Sequence, residues 1–542
     1  MSEMLKSSGA IGFATLSSRL LGLVREQVYA NFMGDSAVAS AFKLAFQIPN
    51  LFRRLLGEGA LTAAFIPIFK EKEKTEGPEK MWHAANAVMS GLIVSVSLLV
   101  VLVVLGITLV LSASAIRFTH GAERVFPAFP IPILHDDTRL MLELLRLMFP
   151  YLLLVCLAAL CMGMLNARGK FFIPAMGATM LNVVMIGTVV VLAPHWGSTL
   201  ETQIFALAIG VLAAGVAQFA FQLPSLRGEG FRFRWVRPWG DPTVREVVRK
   251  MLPAAMGVAA FQINVLLIQG IAYWTDRSIV ASFDYAVRLM EFPQGVFGIS
   301  LATYLLPTLS GFAAEKRYDQ FNASLRDGIG HLLFVNLLAA ILLLTLAEPT
   351  VRLLFERGKF QVGSTHRVSI ALACLAPSLV AYSLVNVLAR SFYALGDTHT
   401  PMRISIAALV ANLFLALWLL GPFRQGGLGV ANTLSSALNV WLLFHALRKK
   451  LKHLDLSALY PALPWLFGGL AVAGGVSWGG SLLWERQLGH ATLMLKLGAV
   501  FVPMIAATGA YWTVALIGRV PQAREILSLL RLRLVGRKRG PS

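Results

Sequence analysis

The stretch Asn50–Gly59, NLFRRLLGEG, follows the apolar run AFKLAFQIP and precedes ALTAAFIPIF. Two adjacent arginines and a glutamate therefore stand inside what otherwise reads as a membrane segment. On insertion scales an Arg or Lys at the bilayer centre costs about 2.5–3.5 kcal/mol, so such residues persist where they face a wet cavity or a partner. The rest of the chain gives the stretch its setting. Of 542 residues, 56% are hydrophobic and 14% are charged, which is too apolar for a water-facing globule.

Windows of roughly 20 apolar residues, the length needed to cross a bilayer core, recur from end to end. About fourteen can be placed by that window length, near residues 9–33, 36–69, 84–112, 138–165, 172–193, 200–223, 246–273, 278–312, 322–347, 367–394, 401–420, 427–447, 461–484 and 492–518. The expected fold is an all-α polytopic membrane protein with no soluble domain.

The net charge of +20 comes from 48 Lys and Arg against 28 Asp and Glu. With a cytoplasmic N-terminus, one set of loops holds KEKEK (Lys70–Lys74), NARGK (Asn166–Lys170), RFRWVR (Arg232–Arg237), EKR (Glu315–Arg317), RKKLK (Arg448–Lys452) and GRKRG (Gly536–Gly540). That set carries roughly thirty Lys and Arg against about ten in the opposite set, a positive-inside bias. Both termini are then cytoplasmic. No compact basic domain exists to bind nucleic acid. The first apolar stretch, interrupted by Arg19 and Arg25, is no cleavable signal. Cys156, Cys161 and Cys374 fall inside predicted helices and read as packing residues.

A repeat underlies the chain. AFKLAFQ (Ala41–Gln47) resembles SFDYAVR (Ser282–Arg288), and a proline follows in each copy, at Ile66–Pro67 and Leu306–Pro307. Pro150, Gly169 and Pro174 share their mutual spacings with Pro377, Gly396 and Pro401, around the turns NARGKFFIP and YALGDTHTP. Glycine gives the permissive backbone there, and proline opens the next helix. The expected organisation is two pseudo-symmetric six-helix lobes of like topology, 1–228 and 229–452. A third segment, 453–542, holds two further helices and a basic tail.

The intramembrane charges cluster on three of these segments. The first carries Ser18, Arg19, Arg25 and Glu26, with Arg19 about 15 Å along the axis. The second carries Lys43, Gln47, Asn50, Arg53, Arg54 and Glu58, all but Arg53 on one narrow helical stripe. Pro49 interrupts that stripe and, with Gly57 and Gly59, is a candidate hinge. The eighth carries Asp284, Arg288 and Glu291 at ion-pair spacing. Such pairs can neutralise one another, and Arg53 and Arg54 can snorkel to the surface. Even so, Arg19, Arg25, Arg53, Arg54 and Lys43 outnumber Glu26 and Glu58. An uncompensated cationic cavity asks for an anionic guest, and the arginine fork suits phosphate and diphosphate oxygens. From the residues alone the ligand is anionic, phosphorylated and amphipathic.

Five stretches carry a resemblance. SSRLLGLVRE (Ser17–Glu26), AFQIPNLFRRLLGEGALTAAFIPIF (Ala45–Phe69), FPYLLL (Phe149–Leu154), RLMEFPQGVFG (Arg288–Gly298) and LGDTHTP (Leu395–Pro401) are similar to the bacterial lipid II flippases of the MurJ/MviN family, in the MOP exporter superfamily. The resemblance implies fourteen helices in two lobes around a cationic central cavity. It implies alternating-access export of undecaprenyl-diphosphate-linked disaccharide pentapeptide across the bacterial inner membrane by a monomer without cofactor or metal. The extra helices would line a groove for the lipid tail. By motif match, substrate-binding arginines fall on Arg19, Arg25, Arg53 and Arg288, with Ser18, Asn50 and Glu291 in support. Two departures stand out. Many members carry an acid where this chain has Ser40 and Ala41, and Asp where Val287 stands. Some relatives bind sodium through acids in the second lobe, where the interiors of the seventh, eleventh and twelfth helices here offer amides such as Asn264 and Asn412.

Three rivals follow. A flippase for another polyprenyl-linked oligosaccharide or a multidrug exporter of the same superfamily would share the fold. A drug exporter would need fewer arginines and an intramembrane acid. A membrane transferase acting on polyprenyl diphosphates would need clustered metal-binding acids. The only outward acid pair, Asp136 and Asp137 in LHDDTR, suits a helix N-terminus instead.

Overall fold

The computed structural model describes residues 2–53, 60–120, 134–451 and 457–536. Among them every regular element is helical: α1 (Ser2–Met33), α2 (Ala37–Phe52), α3 (Ala60–Thr75), α4 (Pro78–His120), α5 (Asp136–Met148), α6 (Tyr151–Ala167), α7 (Phe172–Gly187), α8 (Ala193–Trp196), α9 (Leu200–Gly228), α10 (Pro242–Thr275), α11 (Ile279–Pro293), α12 (Ser300–Ala314), α13 (Tyr318–Thr345), α14 (Ala347–Phe355), α15 (Val362–Leu375), α16 (Ser378–Ala394), α17 (His399–Leu451), α18 (Leu463–Gln487), α19 (Leu493–Ile517) and α20 (Pro521–Gly536). The helix α17 is two helices joined at Arg424, whose backbone (φ 47°, ψ −129°) is not helical.

Among the described residues seven helices are long and apolar enough to cross a membrane by length and composition, and nine spans result if the bent pairs α5–α6 and α15–α16 each count once. The protein is a polytopic all-α membrane protein. The helices α1, α2 and α11, which carry the intramembrane charges, are not among the seven.

The chain divides into two compact units, Met1–Ala281 and Ser282–Ser542. In the first, α10 packs on α2, α3 and α4. The core at one end of this unit is an aromatic ladder, with Phe65 against Phe69 (centroids 5.2 Å apart), Phe69 against Trp82 (5.5 Å) and Trp82 against Phe231 (5.4 Å). In the second unit, Phe334 sits between Tyr511 and Trp512 of α19, each 5.2 Å away. The Tyr511 hydroxyl donates to the Phe334 carbonyl (3.0 Å), satisfying a polar group inside an apolar interface. The hairpin α18–α19 is thereby packed onto α13.

The three cysteines are free, with Cys156 and Cys161 buried and Cys374 half-buried. Asp136 and Asp137 occupy the first turn of α5, one residue beyond its N-cap His135. There the helix dipole favours negative charge. Asp137 also pairs with Arg277 (3.2 Å), and its carbonyl accepts the Tyr273 hydroxyl (2.8 Å).

Candidate functional site: the charged corner of α1 and α2

Local sequence builds this corner. Ser36 caps α2, its Oγ accepting the Ala39 N–H (3.2 Å). The cap fixes where α2 begins and so which residues share its faces. The rings of α2 settle one side against apolar neighbours: Phe42 packs edge-on to Tyr29 (6.0 Å), Phe46 lies 5.9 Å from Tyr151, and Phe52 meets Phe149 (6.0 Å). Helical spacing then brings Lys43 to α1, where its ammonium is 3.4 Å from Glu26. Glu26 is 3% exposed, and its other oxygen takes the Arg25 guanidinium at 2.6 Å. Arg25 also lies 5.4 Å from the centre of the Tyr29 ring.

Arg25 and Lys43 thus share the buried carboxylate of Glu26. Arg19, one and a half turns earlier on α1, is half-buried, and among the described residues no carboxylate lies within 4 Å of it. Arg53 bonds the Asn50 side-chain oxygen through Nε (2.8 Å). Ser18 contributes through its carbonyl, which accepts the Asn182 amide of α7 (3.2 Å). Gln47 is half-buried on the same stripe, and Pro49 is buried inside α2. Arg54, Gly57, Glu58 and Gly59 lie outside the described residues.

In the second unit, Arg288 of α11 pairs with Glu291 (3.0 Å), their side chains 37% and 47% exposed. Asp284 is half-buried one turn earlier. Ser40 and Ala41, which mark one departure from the family pattern, are fully buried. Ser40 Oγ accepts the Ala281 N–H (3.1 Å) and so satisfies one of the donors at the start of α11. Asn412 donates to Asn432 (3.3 Å) and Ser435 (3.0 Å), and Tyr382 donates to the same Asn432 oxygen (3.0 Å).

Two features escaped sequence reasoning. The first is an ion network around Arg352 of α14, 8% exposed. Arg352 meets Glu348 (2.6 Å), Glu356 (3.6 Å) and Glu485 of α18. Lys496 of α19 pairs with Glu356 (3.4 Å), and His490 with Glu485 (2.8 Å). The spacing Glu348, Arg352, Glu356 was the available signal. The second is a groove of about 690 Å³ in this unit, walled by α13, α15 and α18. Ile341, Leu344, Ile370, Phe467 and Trp478 give it an apolar wall, and Glu348, His366 and Ser369 a polar lip.

With this geometry in place, comparison with known proteins decides the family. The sequence profile described as "Lipid II flippase MurJ" matches residues 29–498. The chain belongs to the MurJ family. It is 35% identical over 484 residues to "Probable lipid II flippase MurJ" of Vibrio cholerae, covering 89% of each chain. It is 33% identical over 440 residues to "Lipid II flippase MurJ" of Burkholderia cenocepacia, covering 80% of this chain and 82% of that one. Its fold matches a solved structure described as "Lipid II flippase MurJ, inward closed conformation" with a TM-score of 0.73 at 21% identity, over 93% of this chain and 98% of that one. A multidrug resistance MATE transporter of the MOP superfamily in an inward-facing conformation matches with a TM-score of 0.63 at 13% identity, over 80% and 95%. Membership makes the chain a MurJ-family transporter of the bacterial inner membrane, and the transferase reading falls with it.

Proposed function

We propose that this MurJ-family transporter moves undecaprenyl-diphosphate-linked disaccharide pentapeptide from the cytoplasmic to the outer leaflet by alternating access. The observation that carries the reading is the cationic corner itself, in which one buried carboxylate serves two cations and Arg19 has no acid beside it among the described residues. A drug exporter moving cations would need the opposite balance. Arg19, Arg25, Arg53 and Arg288 take the diphosphate, whose oxygens match the planar guanidinium in two-point geometry. Ser18, Lys43, Gln47, Asn50, Arg54, Glu58, Asp284 and Glu291 shape and tune the polar surface, and Glu26 holds Arg25 and Lys43 in place. Pro49, Gly57 and Gly59 are the hinge positions of the second span. The chain acts as a monomer with fourteen spans in two like-topology lobes, 1–228 and 229–452. The segment 453–542 adds the last two spans and the tail, and both termini are cytoplasmic. The groove beside α18 takes apolar chain, and the prenyl tail is the part of the substrate that fits it.

The test is head-group translocation in proteoliposomes, comparing this diphosphate lipid with other polyprenyl-linked sugars. Transport of the former, lost in Arg19→Ala, Arg53→Ala and Arg288→Ala with insertion intact, supports the reading. Lys at these sites restores only part of the rate, because a point charge cannot repeat the two-point contact. Transport of another glycan alone would select the rival flippase.

A further inference from the structure

The segment between α9 and α10, Phe231–Asp241, reads FRFRWVRPWGD and has no part in the site above. It is not a slack loop. Its backbone runs along α4: the Arg232 carbonyl accepts the Asn86 amide (3.1 Å), the Arg234 N–H donates to Asn86 Oδ1 (3.0 Å), and the Val236 N–H donates to Ser90 Oγ (3.2 Å). Alternate residues thus spend their backbone groups on one helix, and Phe231 is buried against Trp82. Gly230 (φ +94°) and Gly240 (φ +91°) turn the chain at either end in a conformation other residues avoid.

What the strap presents outward is unusual for a water-facing surface. Phe233, Trp235 and Trp239 are 48%, 58% and 66% exposed, interleaved with exposed Arg232, Arg234 and Arg237. Among the described residues none of the three arginines makes an ion pair. The neighbouring acids are already engaged. Glu229 binds Arg168 (3.1 Å) and Lys170 (3.6 Å), Asp241 caps α10 by accepting the Thr243 N–H (2.8 Å), and Glu246 pairs with Lys250 (2.6 Å). The strap also starts just beyond Gly228, where the apolar span α9 ends. Tryptophan and arginine at the end of a span sit at head-group depth, the rings in the interface and the guanidinium groups on phosphate.

We propose that Arg232–Trp239 is a membrane-interface anchor that binds the phosphate head groups of anionic phospholipids. Asn86 and Ser90 hold the backbone so that the three arginines and three rings project together. The experiment uses the full chain in nanodiscs of phosphatidylcholine with or without about 30% phosphatidylglycerol, an anionic lipid of the kind expected to attract basic segments. A head-group spin label on either lipid quenches nearby tryptophan, and the difference between wild type and W235F/W239F isolates the two strap residues. A nanodisc has two equivalent faces, so the outcome is independent of the chain's orientation.

The expected result is several times more quenching by labelled phosphatidylglycerol than by labelled phosphatidylcholine. R232Q/R234Q/R237Q brings the two lipids to parity, because the basic residues supply the attraction to the anionic head group. The slow hydrogen exchange of the Arg234 and Val236 amides stays unchanged in that variant, showing that the strap is still pinned. Equal quenching by both lipids in the wild type overturns the proposal and leaves the surface to a protein partner. If the triple variant does not reconstitute, the wild-type preference alone decides.

Discussion

The corner of α1 and α2 in the first unit and the helix α11 in the second open on similar sequence, AFKLAFQ and SFDYAVR, yet they handle charge differently. In the first, Glu26 is buried and bridges Arg25 and Lys43. In the second, Arg288 and Glu291 form one half-exposed pair along a single helix. At matching positions Lys43 stands where the other copy has Asp284. The difference separates a buried carboxylate that bridges two helices from a half-exposed pair within one.

The largest effect tests that separation. Glu26→Gln leaves two cations packed together without their carboxylate, and breaking a buried pair costs about 3–5 kcal/mol. The variant should show a marked loss of thermal stability in detergent. Glu291→Gln should change stability by less than about 1 kcal/mol, since its partner is half-exposed. Equal losses would erase the distinction. For the same reason Arg25→Ala confounds folding with transport, and Arg19, Arg53 and Arg288 are the cleaner sites for functional assay.

A second comparison concerns the turns of the repeat. The helices α6 and α16 are both 17 residues long, each meets its predecessor at a 42° bend, and Pro150 and Pro377 stand at the two bends. Gly169 (φ +77°) and Gly396 (φ +74°) end them alike. The Lys170 N–H reaches back to the Leu165 carbonyl as the Asp397 N–H does to that of Phe392, both at 2.9 Å. These two residues occupy the same position, and their charges are opposite. Lys170 pairs with Glu229, whereas Asp397 pairs with Lys450 (2.5 Å). The backbone device has been kept while the polarity of its contact reversed.

Gly169→Ala and Gly396→Ala should each cost about 1–2 kcal/mol, because a side chain is disfavoured in the left-handed region. A Cβ would meet nothing within 4 Å at either position, so backbone strain is the whole effect. The two variants should unfold at similarly lowered temperatures. A large difference would mean that the turns are not equivalent.

Asp397 sharpens the contrast further, since it also accepts the Thr400 N–H (3.0 Å) at the start of α17. Asp397→Ala should cost about 1 kcal/mol through the lost cap, and Asp397→Asn, which keeps an acceptor, less. Lys170→Ala should cost less than about 1 kcal/mol, because it removes only an exposed pair.

The smallest effect is that of acid. The hydrogen bond from Lys450, aided by the Thr400 N–H, holds the Asp397 carboxyl well below the usual carboxylate range. A depressed folded pKa adds stability that is present above the unfolded value of about 3.9 and is lost only as pH falls through the folded one. Between pH 7 and pH 4 the Asp397–Lys450 contact should persist. Infrared difference spectra of wild type against Asp397→Asn should show an ionised Asp397 at pH 4. A protonated carboxyl there would refute the assignment. Glu73, lowered first by its hydrogen bond from Lys70 and also by Arg168, should behave in the same direction.

Much of this was legible in the residues. Composition and segment length made the chain a helical membrane protein, because a bilayer demands long apolar runs wherever it is read. Helical periodicity put Lys43, Gln47 and Asn50 on one stripe, and the prolines and glycines of the repeat marked bends and turns, since those residues act through their own backbone. Five motifs were enough to suggest the family. What one dimension could not show was the partner of each charge. Lys43 is seventeen residues from Glu26, and Arg352 is 133 from Glu485. Whether Glu26 is a ligand group or an internal counter-ion, and how the strap at Arg232–Trp239 is pinned, depend on which helices pack together. That packing is settled by the sum of many contacts along the chain, and no local window contains it.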